Sequence, residues 1–180
     1  MIVDALALSH QTRFRPGKGE YWFASILLNG IETVLVKPST YMNNSGLAVV
    51  HATECFSVRT VEMLVLYDDF HLPLGRLRLR PSGSDGGHQG LESVIYHLQT
   101  DEIPRLRFGI GPASIPDGRD AKVDFVLQEF DAAELLQVQQ QVGIAAQAAH
   151  VFVCEGIVAA MNRFNGQSDT LSPFSGTKGS

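Results

Sequence analysis

Hydrophobic and polar positions along this chain follow two periods, near two and near 3.6, and the changes between them mark out its elements. Ile2 to Leu8 reads as the end of a helix that opens without a cap. Trp22–Leu28 and Glu32–Lys37 are β-rich runs around Asn29-Gly30, a dipeptide that tolerates positive φ at both turn positions, so they predict a hairpin. Beyond Pro38, polar residues lead into an apolar pattern at Leu47 and Val50 that predicts a helix. The apolar run Met63–Tyr67 is too short for an ordinary helix and stops at Asp68-Asp69, which predicts a buried strand with acids at the sheet's rim. Gly75–Arg80 alternates arginine with leucine and predicts a half-exposed strand. Leu91, Val94, Ile95 and Leu98 then recur at helical spacing behind the glycine-rich stretch Gly83–Gly87.

Arg105–Ile110 predicts one more alternating strand, and Pro112–Arg119 a flexible polar connection. From Asp131 to Asn165 the pattern is helical, with an interruption at Glu155-Gly156 that divides it into two helices. The serine- and glycine-rich tail 166–180 has little to bury and is expected to be disordered. Strands mixed with helices predict the α/β class: a single domain over 1–165, built on a mixed twisted sheet flanked by helices.

Composition narrows this picture. A chain of 180 residues with 44% hydrophobic content supports one core of ordinary size. Cys55 and Cys154 lack the spacing of a zinc site or a redox pair, which suggests a reducing compartment. No basic leader and no run of about 18 apolar residues occurs, so a soluble, cytoplasmic protein without a membrane span is expected. The net charge of -5 would repel a polyanion at long range, so any RNA contact must be local. Arg13, Arg15 and Lys18 early in the chain and Arg76, Arg78, Arg80, Arg105 and Arg107 in its middle are candidates for such a patch, although the alternating face of Arg76, Arg78 and Arg80 is more often a solvated strand surface.

Three polar clusters stand where strands or loops meet helices: Tyr41-Met42-Asn43, Asp68-Asp69-Phe70-His71 and Gly86-Gly87-His88-Gln89-Gly90. In open α/β sheets ligands bind at such junctions. Each cluster also has a plainer reading. Asn43 is read alone as a helix cap, Asp68 as a cap or turn ligand, and His88 as a helix-start residue whose ring bonds the backbone. Asp69 with His71 lacks a third ligand at matched spacing, so no metal is expected. Gly83–Gly87 reads either as a plain turn or as a phosphate cradle, but it fits neither the Walker nor the dinucleotide pattern.

Taken together, these segments resemble the bacterial-type peptidyl-tRNA hydrolase family. Pro38-Ser39-Thr40-Tyr41-Met42-Asn43-Asn44-Ser45-Gly46 is similar to its Pro-x-Thr-Tyr/Phe-Met-Asn-x-Ser-Gly segment. Asp68-Asp69-Phe70-His71-Leu72-Pro73-Leu74-Gly75 resembles its Asp-Asp/Glu-x-Asp-Leu-Pro-x-Gly segment, and Gly86–Leu91 its Gly-Gly-His-Asn-Gly-Leu loop. Arg105–Gly111 and Asp124–Leu127 match as well. The resemblance implies hydrolysis of the ester between peptide and tRNA, with peptidyl-tRNA as partner and no metal or cofactor; a monomer is expected. It implies that Asp68 orients a catalytic histidine, that Asn43 holds the peptide and helps place the water, that Tyr41 lies against the tRNA end, and that His88 and Gln89 line the cleft.

Three departures accompany the resemblance. Gln89 stands where the family usually has Asn, and His71 where it often has Asp. The family's first strand and its Arg-His-Asn motif, whose histidine is the base, have no counterpart, because Ile2-Val3-Asp4-Ala5-Leu6-Ala7 matches the helix that follows them. The expectation is a start assigned at an internal methionine, with weak or no activity in the 180 residues themselves. A noncatalytic RNA-binding relative that retains the cleft is the alternative.

Overall fold

The structure, a computed structural model, describes residues 1–111 and 130–166. The expected connection at Pro112–Arg119, the segment Asp124–Leu127 and nearly all of the tail lie outside the described residues. The elements are α1 (Ile2–Ser9), β1 (Arg15–Pro16), β2 (Tyr21–Leu28), β3 (Ile31–Pro38), α2 (Ser45–Phe56), β4 (Val65–Pro73), β5 (Leu77–Arg80), α3 (Gln89–Leu98), β6 (Arg105–Gly111), α4 (Ala132–Glu155) and α5 (Ile157–Phe164). The strands form two three-stranded sheets, β1-β2-β3 and β4-β6-β5.

The hairpin β2–β3 pairs Leu28 with Ile31 across Asn29 (φ 47°) and Gly30 (φ 83°), the left-handed pair that matches a two-residue turn to strand twist. Ala24, Ile26 and Leu28 face Leu6 and Ala7 of α1 and Ala149 of α4. On the opposite face Tyr21 and Phe23 meet Ala48, Ala52 and Phe56 of α2. Strand alternation thus divides one run of apolar residues between two helical layers.

In the second sheet β6 is central, parallel to β4 and antiparallel to β5. Leu77, Leu79, Leu106 and Phe108 bury one face against Val138, Val142, Ala145 and Phe152 of α4 and Phe164 of α5. The strand expected at Arg105–Ile110 is thus the middle strand of its sheet, buried or half-buried at every position, with Arg105 only 2% exposed.

The strand expected at Met63–Tyr67 begins at Val65 and continues through both aspartates to Pro73. Glycines in β6 permit this. A Cβ at Gly109 would lie 2.0 Å from the Pro73 carbonyl oxygen, and one at Gly111 2.1 Å from that of Phe70. Regular β4–β6 pairing runs through Asp69 opposite Gly109 and then shifts register, so Asp68 sits one residue from the end of the regular ladder. The two C-terminal helices meet at Gly156, whose φ of 86° ends α4 where the sequence places the break.

Candidate functional site

A single-turn 3₁₀ segment, Met42–Asn44, leads into α2, whose N-cap is Asn44 rather than Asn43. Asn43 is exposed and Tyr41 is 85% exposed, so neither is held in the core. The turn packs against the start of α3: a Cβ at Gly90 would come within 2.5 Å of Met42 Sδ and 3.0 Å of His88 Cε1. Deeper in the same interface, the Gly46 amide donates to Ser93 Oγ at 3.0 Å, and a Cβ at Gly46 would strike the Ser93 carbonyl oxygen at 2.2 Å. Two glycines without side chains therefore let α2 and α3 close together, and that closure sets Met42, the residue before Asn43, against Gly90 at the start of α3. Glu20, Ser39, Thr40, Tyr41 and Asn44 line a recess of about 450 Å³ on this flank.

His88 reaches its position through a tight turn. Gly86 (φ 61°) and Gly87 (φ 83°) are both left-handed, and the His88 amide donates to the Asp85 carbonyl oxygen at 3.1 Å, which defines a type I′ turn. The Gly87 amide donates to Asp85 Oδ1 at 2.7 Å. With these two amides directed to Asp85, the loop is a turn rather than the phosphate cradle considered from sequence. His88 is the N-cap of α3, its Nδ1 accepting from the Leu91 amide at 3.1 Å, so the plainer reading of this residue holds. An accepting Nδ1 carries no proton, which leaves the neutral ring with its proton on Nε2. The ring also lies 4.7 Å, centroid to centroid, from that of Tyr67.

Tyr67 belongs to β4 and precedes Asp68. Burial pushes its phenol above the ordinary value, with Arg107 pulling the other way. Asp69 is 9% exposed and uses both oxygens: Oδ2 accepts from Arg107 Nε at 2.7 Å and Oδ1 from the His71 amide at 2.8 Å. Asp69, not Asp68, is thus the turn ligand. Asp68 is exposed and forms no ion pair among the described residues. Register aligns it with Phe108, on the α4 side of the sheet, whereas Tyr67 and Asp69 share the side of Arg107. The three clusters are therefore linked through Met42 against Gly90 and Tyr67 against His88, while Asp68, the residue after Tyr67, faces the other side of β4 and is not brought into contact with them.

The other histidines are engaged elsewhere. His10 Nδ1 meets the Leu6 carbonyl oxygen, His97 Nδ1 that of Ser93, and His150 Nε2 lies 3.6 Å from Cys154 Sγ. His51 stands against Gly19, and the His71 ring lies on Phe70.

A family model described as Peptidyl-tRNA hydrolase matches residues 1–172. The chain belongs to the peptidyl-tRNA hydrolase family. It is 43% identical to the peptidyl-tRNA hydrolase of Chlorobaculum parvum over 164 residues, 91% of this chain and 85% of that protein. It is 42% identical to that of Synechocystis over 165 residues, 91% and 84% of the two chains. Among solved structures, it is similar to the Acinetobacter baumannii peptidyl-tRNA hydrolase, with a TM-score of 0.84 at 26% identity over 92% of this chain and 83% of that one. A crystal structure of a peptidyl-tRNA hydrolase complexed with n-propanol gives 0.85 at 25% identity, covering 94% and 85%. The mixed α/β architecture is therefore that of peptidyl-tRNA hydrolases. No helix among the described residues is long and apolar enough to cross a membrane.

Sequence reasoning passed over Met42 and Tyr67, the two side chains that join the clusters in this hydrolase-family fold. Met42 lies inside a quoted motif and Tyr67 directly before one, but only the packing of one element on another assigns them their partners. It also took Arg105 and Arg107 as candidates for a basic patch, whereas the register makes one a buried clamp and the other an ion-pair partner.

Proposed function

We propose that this protein hydrolyses the ester joining a peptide to tRNA, releasing free tRNA for reuse in translation in the cytoplasm, and that residues 1–165 form its single catalytic domain. The observation that carries the reading is the convergence of two motif segments, Met42 on Gly90, at a helix start that also touches β4 beside Asp68. An acyl–ribose ester has a fair leaving group, so the reaction needs a general base for water and donors for the developing oxyanion. Asp68, exposed and unpaired among the described residues, is suited to orient an imidazole and stabilise its protonated form. Asn43 offers an exposed amide that donates without competing for protons. His88 offers its Nε2–H and Gln89 an exposed amide to the cleft wall, while the open ring of Tyr41 gives the tRNA end a stacking surface.

Capping occupies the one lone pair that would make neutral His88 a base. Following the family resemblance, we assign the base to the histidine of the Arg-His-Asn motif, which these 180 residues do not contain. On the RNA side, Arg78 pairs in register with Arg107 on the face that Arg80 shares, which supplies local positive charge within an acidic molecule.

The test compares turnover of N-acetylaminoacyl-tRNA by the 180-residue chain with turnover by a chain extended to the upstream codons. The extended chain should be active, and Asp68→Asn in it should lower kcat by about 10²–10⁴-fold. Equal rates for the short and extended chains would overturn the assignment of the base, and full activity in Asp68→Asn would overturn the role of the carboxylate. Tight tRNA binding by an extended chain that never turns over would replace hydrolysis with the binding reading.

A further inference from the structure

Arg105 is the most deeply buried charge among the described residues, at 2% exposure, and it forms no ion pair there. Its guanidinium donates instead to four backbone carbonyls. Nε reaches Ile103 at 3.0 Å, one Nη reaches Gly83 at 2.6 Å and Ser84 at 3.0 Å, and the other reaches Asp101 at 2.8 Å. Burying a charge is costly unless it is hydrogen-bonded, and the planar fork of arginine spreads five N–H donors over three nitrogens, enough to reach carbonyls on two loops. Burial accordingly pulls its guanidinium below the usual value.

The carbonyls belong to the two loops that flank α3. Gly83 and Ser84 precede it, Asp101 and Ile103 follow it, and the Gly83 amide donates to the Asp101 oxygen at 3.2 Å. From Ser84 the chain passes into Asp85, the Gly86-Gly87 turn and His88, with the bonds given above. Covalent and hydrogen-bonded links are therefore continuous from the central strand to the ring that caps α3 and to Gly90, on which Met42 rests.

We propose that Arg105 is a positioning residue of the substrate cleft: from β6 it fixes both ends of the loop–helix–loop unit 83–103 and so sets where His88 and Gln89 face the substrate. This rests on the hydrolase reading, which makes His88 and Gln89 cleft residues. A lysine at 105 keeps a positive charge but carries three donors on one nitrogen, so it cannot replace all four bonds that the three guanidinium nitrogens make.

The experiment uses Arg105→Lys in the full protein with two probes, uncharged tRNA and a tRNA whose 3′ end carries an N-acetylaminoacyl group through a non-hydrolysable amide. Affinity for the amide probe should fall about tenfold while affinity for bare tRNA changes by less than about twofold, because misplacing the cleft wall leaves the basic face intact. The ¹⁵N signals of the His88 ring should also move away from those of a single Nε2–H form. Unchanged His88 signals with unchanged amide-probe affinity would overturn the proposal, as would parallel losses for both probes. If the parent protein does not prefer the amide probe over bare tRNA, the hydrolase reading fails, and the His88 signals alone decide whether Arg105 positions that ring. Should Arg105→Lys not fold, hydrogen exchange in the parent decides. The amides of Gly83, Gly87, His88 and Leu91 should be as slow as those of β6, and exchange at free-loop rates would overturn the proposal.

Discussion

Arg107 Nε donates to Asp69 Oδ2 at 2.7 Å across the parallel pair β4–β6, at the point where their regular ladder ends. The pair is mostly shielded, with side chains 29% and 10% exposed, so it is not a freely solvated surface bridge. Together with the bond from the His71 amide it holds the strand on either side of Asp69 and keeps Asp68 turned to the other face. Asp69→Ala strands Arg107 and frees the His71 amide, and should cost about 2 kcal/mol of unfolding free energy, checked by urea denaturation. A loss of under about 0.5 kcal/mol would show that the pair does not hold the strand end.

The cap on α3 gives a second expectation. His88→Ala removes the acceptor for the Leu91 amide and should cost about 1 kcal/mol, whereas His88→Asn, a good N-cap, should stay within a few tenths of the parent. Both variants lose the Nε2–H, so both should weaken binding of the amide-linked tRNA probe. Equal stability of the alanine and asparagine variants would show that the ring's cap bond contributes nothing.

Gly46 and Gly90 separate two kinds of close approach. At Gly46 the obstacle to a Cβ is the Ser93 backbone, so Gly46→Ala forces two helices apart and should cost about 2–3 kcal/mol. At Gly90 the nearest obstacle is the thioether of Met42, the far end of a flexible chain, so Gly90→Ala should cost about 1 kcal/mol. Met42→Ala should recover part of that loss. A double-mutant cycle over Met42 and Gly90 with no coupling would separate the two motifs.

Tyrosine titration tests burial around the site. Burial raises the phenols of both Tyr67 and Tyr21 above 10.0. The folded state favours the neutral phenol, so this stability is fully present below about pH 10 and is lost as pH rises through the higher folded value. Tyrosinate absorbance should show two late-ionising tyrosines, and Tyr67→Phe should remove one of them. Titration of all four tyrosines at the ordinary value would contradict the packing of Tyr67 on His88.

Local patterns in the chain were enough to place the hairpin at Asn29-Gly30, the break at Gly156, the arginine–leucine alternation of β5 and the family itself, because each is written in neighbouring residues through φ preference, periodicity or motif wording. What Arg105, Arg107 and Asp69 do was not legible there. Arginines at alternate positions look the same whether their strand is central or at an edge, and only the register of β6 between β4 and β5 turns one into a buried clamp and another into an ion-pair partner. The length of β4 and the meeting of Met42 with Gly90 were decided in the same way. They depend on how closely two distant backbones approach, which the tertiary structure sets and no local stretch of sequence contains.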